Sequence, residues 1–262
     1  MFQPVIPVEG LAGWRFLQKT YDKQLATFTA SAQQKRDGDY FIEKIAKVTS
    51  AEELVKDRRL LSVALGAFGL QDDIDNRYFI RKVLEEGTAS DDTLANRLSD
   101  PRYRELSDAF GFGPAAKLRI GREGFAAGIV ARFQANGFEV ATGAQNDSMR
   151  IALYAQRVLP ALAEREGSTD TKWFTIMGDP PLRELFEKAL NLPKSVGQID
   201  IDQQLEIFKE RAEKAFGSDD VGRFALTENV QDAITKFLVR DQLSDLSTGL
   251  SGTSIALTLL RG

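Results

Sequence analysis

The sequence predicts an all-α protein, a multi-helical body built from two diverged copies of one helical unit. Apolar residues recur at three- and four-residue spacing along most of the chain, the pattern of helices that bury one face. Caps, acids and prolines interrupt that pattern at short intervals, as helix boundaries do. Residues 57–70 also lie over residues 179–192 without a gap: Asp57 on Asp179, Leu60 on Leu182, Val63 on Leu185, Ala67 on Ala189, Phe68 on Leu190 and Leu70 on Leu192. After a small shift the match resumes with Asp92 on Asp219, Leu94 on Val221, Tyr103 on Val230, Glu105 on Asp232 and Phe110 on Phe237. Repetition at this scale speaks of architecture. Strand-like alternation arises only at residues 254–259.

The elements follow in order. Leu17, Tyr21, Leu25 and Phe28 form one stripe of a long helix over residues 14–35, which Asp37-Gly38-Asp39 ends. Tyr40, Phe41, Ile45 and Val48 mark a short second helix. Ser50 and Glu53 have the spacing of a capping box, in which each satisfies an amide at the helix start. The helix it opens carries Leu54, Leu60, Leu61, Ala64 and Phe68, and Gly69 stops it. Acids at Asp72, Asp73 and Asp75 favour the start of the next, with Tyr78, Phe79, Val83 and Leu84 on its apolar face. Asp91 and Asp92 cap a short helix, and Asp100-Pro101 opens another.

Residues 114–138 read as a helix whose Gly121, Gly124 and Gly128 let neighbouring backbones approach. Their spacing is not that of a phosphate loop, and no strand precedes them. Residues 138–142 fit a short extended turn or a continuing helix. Met149, Ala152, Leu153, Val158 and Leu162 line a second long helix that Pro160 can kink. Trp173-Phe174 is the counterpart of Tyr40-Phe41. Asp179 caps the second copy, Ile201 to Ala212 mark the following helix, Asp219-Asp220 the next cap, and residues 230–246 the last long helix. Residues 1–145 therefore hold the first repeat, with the long N-terminal and glycine-spaced middle helices. Residues 146–262 hold the second repeat and a C-terminal tail. Short paired helices bury their faces best by stacking, which favours one continuous body.

Composition narrows the chemistry. The chain has no histidine and no cysteine, so an imidazole base, a thiolate nucleophile, a disulfide and a standard structural zinc site are all excluded. A net charge of −4 from 34 Lys+Arg against 38 Asp+Glu gives no general pull toward nucleic acid. The cluster Lys56-Asp57-Arg58-Arg59 reads as a solvated helix face with intrahelical pairs. The N-terminus lacks the basic region of a cleaved signal, and no run is long enough for a membrane span. The run Asp72, Asp73, Asp75 lacks the glycine and distal Glu of a calcium loop, and the acidic doublets sit in capping contexts. No catalytic constellation and no cofactor or metal site is expected. Aromatic residues near Trp14 fall at helical spacing, a core pattern. The termini stand out: Phe2, Ile6 and Trp14 in front and Ile255, Leu257, Leu259 and Leu260 behind are the candidate partner-binding residues.

Residues 40–45 (Tyr-Phe-Ile-Glu-Lys-Ile), residues 48–61 and Ala67-Phe-Gly-Leu70 resemble the hallmark of domain-of-unknown-function family 1217. Residues 94–103, 138–143 and 149–153 extend the likeness, which runs from about Trp14 to Phe237. That family occurs chiefly in alphaproteobacteria, and its genes often lie in flagellar clusters next to rod genes. The resemblance implies a flagellar setting without supplying a mechanism. The expected function is a non-enzymatic, flagellum-associated structural or assembly protein with a protein partner. It would be cytoplasmic, or exported by a flagellar route without a cleaved signal. A cytoplasmic export chaperone or regulatory adaptor that binds an amphipathic segment is the alternative. A carboxylate-dependent enzyme comes third.

Overall fold

The computed structural model describes residues 2–114 and 116–249, with side chains through residue 244. Among these residues there is no strand, and thirteen α-helices are joined by loops and three 3-10 turns, so the protein is all-α. The strand-like residues 254–259 lie outside the described residues. The helices sort into two compact units, Met1–Val5 with Lys19–Ala144, and Ile6–Gln18 with Gln145–Gly262. Helix α1 (Gly10–Thr29) contributes to both, and residues 6–18 belong with the second unit.

In the first unit, α2 (Ala32–Ile45) and α8 (Phe125–Gly143) pack on α4 (Arg58–Ala67). Leu60, Leu61, Val63, Ala64, Leu65 and Ala67 of α4 are all buried, so this helix is apolar on nearly every side and needs enclosure. Each buried leucine or valine contributes about 1.5–3 kcal/mol. Around it stand α3 (Ala51–Lys56), α5 (Arg77–Glu86), α6 (Leu94–Arg97) and α7 (Pro101–Phe110).

Three boundaries differ from the sequence expectation. The first long helix breaks at residues 30–31, and Asp37-Gly38-Asp39 lies inside α2. The reason is tertiary: a Cβ on Gly38 would stand 2.9 Å from Cγ1 of Val130, so the glycine serves a close helix contact. Asp37 is held there by Arg59 Nε at 2.9 Å. Second, the helix expected across residues 54–68 is cut at Asp57, which caps α4. Third, the glycine-spaced segment is no helix before Phe125. Gly121 and Gly124 have positive φ in a loop, and a Cβ on Gly128 would meet nothing within 4 Å. Close packing falls instead to Gly66, whose Cβ would meet Phe133 at 2.7 Å, and to Gly137 beneath Phe28 at 3.1 Å. Small-residue spacing alone does not reveal which glycine faces a neighbour. Residues 138–142 continue α8.

The second unit contains α9 (Asp147–Glu164), α10 (Thr169–Gly178), α11 (Pro180–Ala189), α12 (Ile201–Phe216) and α13 (Thr227–Gly249). Helix α11 occupies its centre and packs on α13, α9 and α10. Leu182, Leu185, Phe186 and Ala189 are buried there. Trp173 meets Phe186 edge-on at 5.2 Å, and Phe224 meets the same ring at 5.4 Å. Pro160 sits near the end of α9, which runs on to Glu164.

The ends of α4 and α11 are satisfied alike. Asp57 Oδ1 accepts the amides of Arg59 and Leu60, and Asp179 Oδ1 accepts that of Leu182. The second oxygen of each accepts a tyrosine hydroxyl, Tyr40 at 2.7 Å and Tyr154 at 2.5 Å. At the other end, Gly69 and Asn191 take left-handed backbone (φ +71° and +54°), and the amides of Leu70 and Leu192 reach back to the carbonyls of Leu65 and Glu187. Asn136 Nδ2 donates to the carbonyls of Gly66 and Ala67, and Arg240 Nη1 to those of Lys188 and Ala189. The gapless sequence match thus marks two helices with equivalent ends. The later stretch of the match is less regular: α7 stops at Phe110, whereas α13 continues to Gly249.

Removing a cap oxygen should expose this dependence. Asp179→Ala is expected to cost about 2 kcal/mol or more, since it strands an amide and the Tyr154 hydroxyl at a site only 2% exposed. Asp57→Ala, at a half-buried site, should cost less. Denaturant unfolding of the two variants measures the difference.

Candidate protein-binding surfaces

Several carboxylates have partners within the protein. Asp73 accepts the Tyr103 hydroxyl at 2.6 Å, and burial together with that bond pushes the Tyr103 pKa far above its usual range. Asp75 pairs with Arg58 at 2.5 Å, which lowers its pKa. The Lys56–Arg59 cluster is therefore only partly the solvated face expected. Lys56 does pair along its helix with Glu52, but Arg59 bonds Asp37 and lies 4.4 Å over the Tyr40 ring. Ser50 accepts the Glu53 amide as the capping box requires, while Glu53 returns chiefly to the Thr49 amide, with the Ser50 amide contributing less. Asp220 caps a 3-10 turn through the Gly222 amide, whereas the short helix after Asp92 has Thr93 at its cap and takes the Glu86 carboxylate on the Leu94 amide.

Burial works to raise the pKa of Asp57, but the Tyr40 hydroxyl, two backbone amides and the Arg59 cation outweigh it and hold the group below 3.8. Glu43, Glu52, Glu53, Asp75 and Glu210 are likewise held below the usual carboxylate range by the cations, amides or hydroxyls they meet. Among the described residues no group of three or more acids is arranged to hold a metal ion, and no helix is long and apolar enough to cross a membrane.

Two surface depressions stand out. In the second unit a depression of about 790 Å³ runs beside Arg183, Glu187, Lys188 and Arg240. Four of its charged residues have partners: Arg183 pairs with Glu187, Lys188 with Glu184 and Asp241, and Arg240 donates to the α11 carbonyls. In the first unit a smaller one, about 370 Å³, has Lys117, Arg119 and Arg122 on its rim.

The candidate terminal residues have different fates. Trp14 is 1% exposed and its indole donates to Gln231 at 3.1 Å, so it is core of the second unit. Ile6 is half-buried. Ile255, Leu257, Leu259 and Leu260 lie outside the described residues. Phe2 is half-buried against the rings of Phe28 and Phe138 at 5.7 and 6.3 Å. Behind it the Val5 amide donates to Gln24 Oε1 at 2.7 Å, and Gln24 Nε2 donates back to the Val5 carbonyl at 3.2 Å. Sequence reasoning missed Gln24. Its signal was a polar residue on the Tyr21–Phe28 face of an amphipathic helix. At the other end of the chain, α13 buries Val230, Ile234, Phe237 and Leu238 while leaving Val239 and Leu243 exposed.

The family model described as Protein of unknown function (DUF1217) matches residues 67–232. The chain belongs to the DUF1217 family. This DUF1217 chain is also similar to a structural-genomics protein from Agrobacterium tumefaciens, AGR_C_984, whose crystal structure superposes with a TM-score of 0.75. The two are 26% identical, and the likeness covers 92% of this chain and 99% of that one. No curated protein matches.

The lowered pKa of Asp57 predicts an acid dependence of stability. Because the folded-state value lies below the unfolded one, this contribution is present above about pH 4 and fades as pH falls through the folded pKa. Asp57→Asn should therefore lose stability at pH 6 and show a shallower loss between pH 4 and pH 2 than the parent. Equal slopes in acid denaturant melts would count against the Asp57 assignment.

Proposed function

We propose that this DUF1217 protein is a non-enzymatic, flagellum-associated structural or assembly protein that acts by holding another protein through its helical surfaces and apolar ends. The single observation that carries the protein-binding part is the outer face of α13. Val239 is 40% and Leu243 59% exposed, one turn apart, on a helix whose inner face is already occupied. In sequence, leucines follow at positions 246 and 250. The apolar residues Ile255, Leu257, Leu259 and Leu260 then follow. Exposed apolar side chains in register are the usual mark of an interaction site.

The flagellar part rests on the resemblance that places genes of this family beside rod genes. A cytoplasmic export chaperone or adaptor is the second reading, supported by the hydrogen bonds with which Gln24 holds the extended backbone of Val5 in the first unit.

Deleting the gene and scoring motility and filaments by electron microscopy tests the setting. Impaired swimming is expected, and normal swimming with normal filaments would remove the flagellar assignment. Fractionation then separates the readings. Recovery in basal bodies supports the structural role, and stable cytosolic complexes supports the adaptor. Leu243→Glu should leave unfolding stability within about 0.5 kcal/mol, because the side chain is exposed. It should weaken partner binding by roughly 30-fold or more if Leu243 is a central anchor.

A further inference from the structure

The smaller depression, in the first unit, differs from the larger one in what its charges do. Lys117, Arg119 and Arg122 line it, all three are exposed, and none of their side chains has a hydrogen-bond or ion-pair partner among the described residues. Asp108 is the carboxylate of the lining, and it already accepts the Thr88 hydroxyl and pairs with Arg104 at 4.0 Å. A concavity lined by one sign of charge concentrates the field and draws in the opposite sign. The backbone that carries these cations is fixed. Gly111 ends α7 in left-handed conformation (φ +69°), and the chain then returns so that the Arg119 amide donates to the Phe110 carbonyl at 3.0 Å. A Cβ on Gly111 would stand 2.5 Å from the Lys117 carbonyl oxygen, so a glycine is needed for the return to pass this close. The Arg122 amide donates to the Arg119 carbonyl at 3.2 Å, which closes a turn around Ile120, a buried member of the core. Gly87, also in the lining, meets Gly113 backbone to backbone, since a Cβ on Gly113 would lie 2.6 Å from the Gly87 Cα.

We propose that this depression binds the phosphoryl group of a phosphomonoester, held by Lys117, Arg119 and Arg122. Two guanidiniums bring forked donors and the ammonium a point charge, which together suit a group with three acceptor oxygens and nearly two negative charges at neutral pH. A carboxylate offers two oxygens and one charge, so it leaves more of these donors unmatched. A nucleic-acid backbone carries one charge per phosphate and calls for an extended basic stripe, which three residues in one depression do not form. The volume of about 370 Å³ falls at the small end of ligand sites, which span roughly 300–1,000 Å³, and so fits a compact ester. The phosphoryl group has two sources of the same chemistry, a soluble ester and the headgroup of phosphatidic acid. The inference is independent of the flagellar reading and of the α13 surface.

Isothermal titration calorimetry of the full chain with glycerol 3-phosphate at low salt tests this. Saturable binding is expected, with acetate at least about tenfold weaker. Arg119→Gln and Arg122→Gln should each weaken the ester about tenfold or more, the loss of a charge-assisted contact. Lys194→Gln removes an exposed cation from the other depression, in the second unit, and should change affinity less than about twofold. Should Arg119→Gln fail to fold by circular dichroism, Arg122→Gln decides. No binding at millimolar ester, or equal weakening by Lys194→Gln, overturns the proposal. Flotation with vesicles containing phosphatidic acid separates the sources. Vesicle binding that glycerol 3-phosphate competes away supports the site with a lipid headgroup as ligand, and ester binding without vesicle binding supports it with a soluble ligand. Vesicle binding without ester binding overturns it in favour of a general attraction to anionic surfaces.

Discussion

Burying the end of a helix is the constraint on which the rest of this structure depends. A helix leaves amides at its start and carbonyls at its finish without internal partners, and water cannot reach them when the helix is enclosed. Helices α4 and α11 answer this with matching sets of partners. An aspartate takes the first amides, a tyrosine hydroxyl occupies the other carboxylate oxygen, and a left-handed residue turns the chain. A side chain from a long neighbour, Asn136 or Arg240, covers the last carbonyls. The tyrosines, Asn136 and Arg240 lie on other helices, so the helices around the centre are positioned by polar groups as well as by apolar area.

The same constraint accounts for the chemistry of the acids. Asp57 is held ionised by the Tyr40 hydroxyl, two amides and the Arg59 cation, and Asp75 by Arg58, and the pKa of each moves down accordingly. The outer face of α13 and the basic depression differ in kind, one a helical stripe of apolar side chains and the other a set of cations, and they belong to different units of the chain.

Much of the fold was legible because it rests on local rules. The caps at Ser50, Asp100 and Asp179 and the stops at Gly69 and Gly87 follow from backbone chemistry within a few residues, and the structure places them there. Errors arose where a residue's role depends on a distant neighbour. Asp37-Gly38-Asp39 has every local mark of a helix stop, yet Val130 and Arg59 keep it helical. Gly121 and Gly124 have helical spacing, yet they turn a loop, while Gly66 and Gly137 make the close contacts. Trp14 was legible both as core and as a binding residue, and the Gln231 bond decides for core.

By itself the sequence determined the all-α class, most helix positions, the matched pair α4 and α11, and the family, because periodicity, capping and motif are properties of neighbouring residues. Tertiary structure alone decided which glycines face a neighbour, that Asp57 interrupts one helix to start another, that residues 6–18 join the second unit, and that Gln24 holds the backbone of Val5. Those outcomes depend on side chains far apart in the chain meeting at distances of a few ångströms, a relation that one-dimensional spacing does not encode.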